Sequence, residues 1–333
     1  MTVSIIIPVY NVAEYIEKCL YSVIQQKTDN IECILIDDCG TDNSIEIAEK
    51  IINQYKGPIS FKLLHHDHNR GLSAARNTGI NTATGDYVFF LDSDDEITEN
   101  AIEILLSEAQ EQPDVEIVVG NMYSEPHDDY YELKLDNYPY RITSNHQIRK
   151  AFFCNQPLIP VMACNKLIRR DFILENKLYF KEGIIHEDEL WIFYVINCIH
   201  SILLINNYTY IRYKRPQSIT TTSSQQNSAN YMAEIILEIL QKINPPCEEM
   251  QFLFYTRYYF YFYPYIHHTK EYKKIYYLIY KAFIKYKHYN AASLFLIQRY
   301  INKIVFKLKY KVIPELLHIA AKKENSSQNH QTI

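Results

Sequence analysis

Apolar residues in the first 120 positions alternate between two rhythms. Ser4–Pro8 (SIIIP) is a continuous apolar run of strand length, after which Tyr15, Ile16, Cys19, Leu20, Val23 and Ile24 recur at helical spacing. Ile31–Ile36 predicts a second strand, stopped by Asp37 and Asp38, and Thr41–Ser44 supplies cap residues for a helix through Tyr55. Gly57 and Pro58 turn the chain into a third strand, Ile59–Leu64. A polar loop with His65, His66, His68 and Asn69 follows. A helix from about Ser73 to Asn81, a strand Tyr87–Leu91, a helix from near Thr98 to about Glu111 and a strand Val115–Gly120 complete the series. This βα alternation predicts an α/β fold with a mostly parallel central sheet and helices on both faces. Ligands in such sheets sit beyond the carboxyl ends of the strands.

The regularity lapses near Pro126, where His127, Asp128, Asp129 and Tyr130 show no period. It returns over 161–215, with NKLIRRDFI at 165–173, GIIHEDELWIFYVI at 183–196, and a strand pair or strand and loop over Ser201–Tyr213. Ser218–Ser228 is a polar loop by composition, the signals from Tyr231 onward are helical, and the last ten residues have the composition of disorder. The expected division is therefore a first domain at 1–220, a helical C-terminal region at 221–323 and a disordered tail at 324–333. No internal repeat is visible.

Composition narrows the class. With 47% hydrophobic and 22% charged residues over 333 positions, most of the chain is globular. The seven cysteines form no CxxC pair, and an odd count argues against both a disulfide framework and a zinc site. The first apolar run is only five residues long, so neither a signal peptide nor a membrane span is expected at the start. The net charge of -5 hides an asymmetry: residues 251–323 hold fourteen Lys or Arg against Glu271 and Glu315, a surplus of twelve positive charges, which leaves the remainder at seventeen negative. An acidic body excludes nucleic acid as the main partner, whereas a basic, Tyr-rich tail suits an anionic membrane surface. Ile297, Ile301, Ile304, Val305, Leu308 and Val312 share one side of a helical projection and Arg299, Lys303 and Lys307 lie largely on another, which fits either an interfacial helix or one packed on the body with a wet basic face.

The candidate chemistry lies at strand ends. TATGDYVFFLDSDDE at 82–96 delivers Asp92, Asp94 and Asp95 to the edge of the sheet directly after an apolar strand. Two carboxylates about 5 Å apart repel by roughly 3 kcal/mol at an effective dielectric of about 20, so the cluster calls for a positive partner. Mg²⁺ or Mn²⁺ completed by a phosphate-bearing substrate is the simplest one, and a solvated acidic turn ahead of a helix is the plainer alternative. Pro8, Val9, Tyr10 and Asn11 follow the first strand and Asp37 and Asp38 the second, so three loops can converge on one crevice. Each alone is weak evidence, since an Asp after a strand is often a helix cap, the favoured reading of Asp37 by itself. Histidines 65, 66 and 68 are expected at the surface or the rim of a substrate site, since no further ligand cluster accompanies them.

SIIIPVYN at 4–11, LIDDCGTDNS at 35–44, NRGLSAARNTGI at 69–80, GDYVFFLDSDD at 85–95 and HED at 186–188 together resemble family 2 glycosyltransferases, the inverting enzymes with a Rossmann-like GT-A fold. The five motifs occur in the family's order over roughly the first 220 residues, and the order is what makes the match specific. The resemblance implies that residues 1–220 bind a nucleotide sugar and carry catalysis, with the acceptor side at about 121–220. It implies that Tyr10 stacks on the nucleotide base with Pro8 lining that pocket, that Asp38 accepts the uracil N3 hydrogen, that Asp92 is the ribose-side member of a DxD motif and that Asp94 is its metal ligand. Asp188 is implied as the catalytic base with Glu187 as the lesser candidate. Arg76 lies where a cation could face the nucleotide or form a structural salt bridge. Without the other motifs, Glu187, Asp188 and Glu189 would read as the acidic first turn of a helix. Arg212, Lys214 and Arg215 before Ser218–Thr220 match a segment that folds over the diphosphate in related enzymes.

The implied activity is metal-assisted single displacement of a hexose or N-acetylhexosamine from a UDP-sugar to a hydroxyl of a growing glycan, such as lipopolysaccharide, capsule or exopolysaccharide. The implied acceptor is an oligosaccharide or lipid-linked glycan, and the implied place is the cytoplasm, peripheral on the inner membrane. Two rivals remain at this level. Asp92-Ser93-Asp94 after an apolar strand resembles the nucleophile motif of haloacid-dehalogenase-type phosphatases, although Glu96 stands where that motif expects Thr or Val and three strands precede it. A nucleotide-sugar-binding protein without turnover is the second.

Overall fold

The structure is a computed structural model that describes residues 1–125, 130–131, 140–153, 159–214, 225–243, 248, 251–252, 254–256, 266 and 269–286. The chain divides into two compact units, Met1–Ser224 with Pro245–Met250 and Gln225–Asn244 with Gln251–Ile333.

In the first unit, β1 (Val3–Val9), α1 (Ile16–Ile24), β2 (Ile31–Asp37), α2 (Ser44–Gln54), β3 (Ser60–His65), α3 (Leu72–Thr82) and β4 (Tyr87–Phe90) follow the alternation of the sequence closely. Next come β5 (Glu96–Ile97), α4 (Ala101–Glu111), β6 (Ile117–Glu125), β7 (Tyr130–Tyr131), β8 (Tyr140–Ile142), α5 (Asn145–Phe153), β9 (Lys166–Arg169), α6 (Arg170–Glu175), α7 (Glu187–Cys198) and β10 (Ile202–Tyr213). The ten strands form one sheet in the order β3-β2-β1-β4-β9-β6-β10-β5, with β7 beside β6 and β8 beside β10. Ladders β3-β2, β2-β1, β1-β4 and β6-β10 are parallel, and β9 runs antiparallel to both β4 and β6. The longer ladders are thus parallel, with β9 reversed in the middle of the sheet and the short β5, β7 and β8 antiparallel to their neighbours.

The chain steps outward from β1 to β2 and β3, then crosses back to place β4 on the other side of β1. That reversal is a topological switch point, and it opens a crevice at the carboxyl ends of β1 and β4. Both faces of the sheet are covered. Ile5, Ile7, Phe89 and Leu91 join Leu20, Leu35 and Leu105 in one apolar cluster on the side of α1, α2 and α4. Ile6, one residue out of phase, meets α3 instead, so closely that a Cβ on Gly79 would lie 2.3 Å from Ile6 Cγ2. Phe90 packs edge-on against Phe180 and Trp191, whose rings stack at 4.9 Å. The strand alternation therefore decides which side chains beyond β4 face α3 and α7.

Glu32 ties the amino-terminal end of the sheet together. Its Oε1 accepts hydrogen bonds from Ser4 Oγ at 2.5 Å, Thr84 N at 2.5 Å and Gly85 N at 3.1 Å, and its Oε2 accepts from Lys62 Nζ and Thr84 Oγ1, both at 2.9 Å. Burial opposes ionisation, but these donors outweigh it and hold the carboxyl down to about 2 against an ordinary 4.5. A carboxylate with a depressed pKa stabilises the fold above its unfolded value, here by on the order of 3 kcal/mol, and that contribution fades as pH falls from 4.5 toward 2. Glu32→Gln is expected to lose about 2–3 kcal/mol at pH 7, because its amide NH2 faces donors. Urea unfolding at pH 7 and pH 3 checks this: the deficit shrinks at the lower pH, and an equal deficit at both would show that the charge is not what matters.

The second unit contains α8 (Gln225–Lys242) and α9 (Tyr272–Lys285). Helix α9 buries Ile275 and Ile279 and exposes Lys273, Lys274, Tyr277, Lys281, Ile284 and Lys285. Among the described residues no helix is long and apolar enough to cross a membrane. The basic helix expected at 297–312, the tail at 324–333, the irregular stretch from Pro126 to Asp129, and Arg215 with Ser218–Thr220 lie outside the described residues.

Candidate active site

The carboxyl ends of β1, β2, β3 and β4 bring the expected loops to one rim. Tyr10 stands just past β1, 44% exposed, and Pro8 within β1 is buried. Asn11, in the left-handed region at φ 51°, accepts a hydrogen bond from Thr41 N at 2.7 Å, and Asp42 accepts one from Ala13 N at 2.8 Å. These two contacts bind the loop after β1 to the loop after β2. Gly40 sits where an added Cβ would come within 3.0 Å of both Asn11 N and Asn11 Oδ1.

Asp38 follows β2 directly. It is 3% exposed; Oδ1 accepts from Arg70 N at 2.8 Å and meets His66 Nδ1 at 2.7 Å, and Oδ2 accepts from Gly71 N at 2.8 Å. His66 Nε2 in turn meets Thr78 Oγ1 at 2.9 Å. Through these contacts Asp38 fastens the loop leading into α3. His66, expected at the surface or rim, is buried in the same network, whereas His65 and His68 are exposed.

The centre of the site is Arg76. Asp92 continues the parity of Val88 and Phe90, so it faces α3 and α7. There Arg76 Nη2 donates to Asp92 Oδ1 at 2.9 Å, while Nη1 donates to Asp188 Oδ1 at 2.8 Å and to Glu187 Oε1 at 3.0 Å. The guanidinium carbon lies 5.1 Å from the centroid of the Phe180 ring. Arg76 is 1% exposed, and its Nε has no hydrogen-bond partner among the described residues. Burial alone would favour the neutral form, but Asp188, Asp92 and Glu187 more than offset it and keep the group charged. Of the two readings the sequence left open, the salt bridge is seen formed: Arg76 is enclosed by three carboxylates.

The carboxylates around it are not equivalent. The Asp92 and Asp188 side chains keep 31% and 23% of their surface exposed, so each remains open to solvent. Burial raises the pKa of Asp188 against the pull of Arg76, and Asp188 also accepts a backbone hydrogen bond from Ala163. Glu187, more deeply buried and beside the charge of Asp188, is pushed up to about 7. His186 caps α7 in the left-handed region at φ 67°, and the N-terminal end of that helix favours the negative charges that follow. Asp95 is raised first by burial and then by Asp94 and Asp92. Its oxygens accept hydrogen bonds from Tyr210 Oη at 2.7 Å and Tyr213 N at 2.8 Å. Lys166, fully buried near Asp188 and Cys164, is lowered by burial to about 8.

Three acidic side chains thus share one enclosed guanidinium, and Asp94 and Asp95 lie on the same turn as Asp92. That surplus of negative charge, carried by hard oxygen donors, suits a divalent cation of the Mg²⁺ or Mn²⁺ type. Among the described residues no three His, Cys, Asp or Glu side chains converge as a complete metal cage. Such cations are usually held by one or two carboxylates with the substrate's phosphates completing the shell, so Asp92 and Asp94 fit that role.

A switch-point crevice rimmed by an aromatic residue and a DxD turn, on a sheet interrupted by one reversed strand, defines a GT-A glycosyltransferase. The chain belongs to glycosyltransferase family 2: residues 4–175 match the model of Glycosyl transferase family 2. Glycosyltransferase GlyG of Streptococcus pneumoniae is 30% identical over 70% of this chain and 77% of its own. S. aureus TarS in complex with UDP-GlcNAc superimposes with a TM-score of 0.64 at 22% identity, covering 78% of this chain and 73% of that one. A mannosyltransferase from Pyrobaculum calidifontis in complex with GDP-Man and Mn²⁺ gives 0.56 at 17% identity, covering 96% and 84%. The phosphatase alternative is overturned by this membership, and the DSD turn follows the fourth strand of the sheet rather than the first.

Proposed function

We propose that this enzyme transfers a hexose or N-acetylhexosamine from a UDP-sugar to a hydroxyl of a growing bacterial surface glycan by a single inverting displacement. The observation that carries the reading is the shared guanidinium: Arg76 holds Asp92, on the donor side, and Asp188, the proposed base, in one arrangement at the open edge of the sheet. A base must lie within hydrogen-bond reach of the acceptor hydroxyl, on the opposite side of the anomeric carbon from the departing diphosphate. Two carboxylates fixed to one planar group provide two stations whose separation cannot drift.

In this reading Asp188 takes the hydroxyl proton, and its raised pKa makes it a stronger base than an ordinary aspartate. Glu187 shares Arg76 from a buried position and acts through Asp188. Tyr10 offers an exposed ring for a nucleotide base, with Pro8 proposed to line that pocket. Asp94, assisted by Asp92, would hold Mg²⁺ or Mn²⁺, which when bound neutralises the growing charge of the diphosphate. Asp38 serves by holding the loop before α3. The choice of UDP over GDP rests on the family resemblance and on the UDP-GlcNAc complex of the TarS neighbour. The acceptor class rests on the family resemblance.

The test is nucleotide release with UDP-Gal, UDP-Glc, UDP-GlcNAc, UDP-GalNAc and GDP-mannose, each with Mn²⁺ and with EDTA. A UDP-sugar should be preferred, and both EDTA and Asp94→Ala should reduce release by at least about a hundredfold. Preference for GDP-mannose would reassign the base pocket. Full activity of Asp94→Ala with unchanged metal dependence would remove Asp94 from the site.

A further inference from the structure

The segment that carries Asp92 and Asp94 is a tight turn in which Asp95 N donates to the Asp92 carbonyl at 3.0 Å. A residue more than a hundred positions away holds it. Tyr210, fully buried on β10, accepts a hydrogen bond from Asp92 N at 3.2 Å and donates one to Asp95 Oδ2 at 2.7 Å. One phenol oxygen therefore meets the first amide and the last carboxylate of the same turn. Tyr213 N, three residues further along β10, occupies the other oxygen of Asp95 at 2.8 Å.

Packing does not require that oxygen. The Tyr210 ring already contacts Phe89 with centroids 6.5 Å apart, and phenylalanine would fill the same space with no polar atom to satisfy. Burying Asp95 beside Asp92 and Asp94 is costly for a turn that needs only to connect β4 to β5. What the arrangement does secure is direction. With the Asp92 amide pinned and Asp95 anchored to β10, the backbone between them is fixed at both ends, and so are the bonds along which the Asp92 and Asp94 side chains leave it.

We propose that Tyr210, acting with Asp95, is a positioning residue for the donor end of the site, where its hydroxyl orients the Asp92–Asp94 pair toward the divalent cation and the diphosphate. The inference rests on the reading of Asp94 as a metal ligand given above. Tyr210 touches neither substrate nor cation. Its effect reaches them through the turn.

The experiment measures Mn²⁺ affinity by electron paramagnetic resonance, on the full chain saturated with UDP, beside UDP affinity in EDTA by calorimetry. Tyr210→Phe is expected to weaken Mn²⁺ binding about tenfold, as loss of an outer partner of a metal ligand typically does, while UDP affinity in EDTA stays within about twofold. Asp95→Asn should shift Mn²⁺ affinity the same way and serves if Tyr210→Phe does not fold. Phe89→Leu, which loosens the same packing without touching the hydroxyl, should leave Mn²⁺ affinity as in the wild type; equal weakening there would reduce Tyr210 to a packing role and overturn the inference. If Asp94→Ala loses Mn²⁺ while Tyr210→Phe and Asp95→Asn titrate like the wild type, the inference falls alone. If Asp94→Ala still binds Mn²⁺ normally, the site reading falls and takes the inference with it.

Discussion

Asp188→Asn is expected to lower sugar transfer by about a thousandfold while UDP affinity stays within about twofold of the wild type. General-base catalysis contributes roughly 10²–10⁴ in rate, and an amide of the same shape removes the proton acceptor with little change in volume. Asp188 lies at the amino-terminal end of α7, an element separate from the β1 end that carries Tyr10 in the proposed base pocket. The pH profile provides a second readout. Burial raises Asp188, and Glu187 is pushed up to about 7, so this coupled pair keeps a proton at a pH where ordinary carboxylates have lost theirs. Transfer by the wild type should therefore fall as pH drops from 8 to 6, and the residual activity of Asp188→Asn should lack that limb. Near-normal turnover of the variant would move the base elsewhere.

Arg76→Met should cost about 3–5 kcal/mol of folding stability and nearly all transfer. Removing one member of a buried charge network leaves the others uncompensated, and here three carboxylates would face one another. At about 5 Å and an effective dielectric of about 20, each pair repels by roughly 3 kcal/mol. The carboxylates would relieve this by taking up protons, above all at Glu187 and Asp188, which burial already holds above the ordinary carboxylate range. The folded state then binds more protons than the unfolded chain, so the deficit grows as pH rises through the neutral range and shrinks toward pH 5. Urea unfolding at pH 5.5, 7 and 8.5 measures that slope. Arg76→Lys should recover part of the stability and little of the transfer, because an ammonium cannot bridge three carboxylates from a planar fork. A variant as stable and active as the wild type would show that Arg76 does not organise the site.

Part of this site can be read from residue order and part cannot. Tyr10, Asp92 and Asp94 follow directly from their strands, because an apolar run that ends in polar residues necessarily delivers them to a sheet edge. Asp188 follows from HED at the head of a helical period. The fate of Asp38 does not follow, since nothing in LIDDCGTDNS says that the amides of Arg70 and Gly71 and the ring of His66 will close around its carboxylate. Tyr210 is equally invisible: an aromatic residue within an apolar strand has many neighbours to choose from. Strand β9 escaped as well, because Lys166–Arg169 is four residues long and half basic, and only its insertion between β4 and β6 makes it a strand.

The sequence by itself determined the alternating strands and helices of the first 120 residues, the polar punctuation at the strand ends and the family. These are local signals, set by side-chain period and by which residues stop a strand or cap a helix. Tertiary structure alone decided which charges meet. The order β3-β2-β1-β4-β9 sets α3 and α7 against the same face of β4, so that Arg76, Asp92 and Asp188, separated by up to 112 positions, share one guanidinium. Electrostatic partnership depends on distance in space and on exclusion of water, and neither is written in the spacing of letters along a chain.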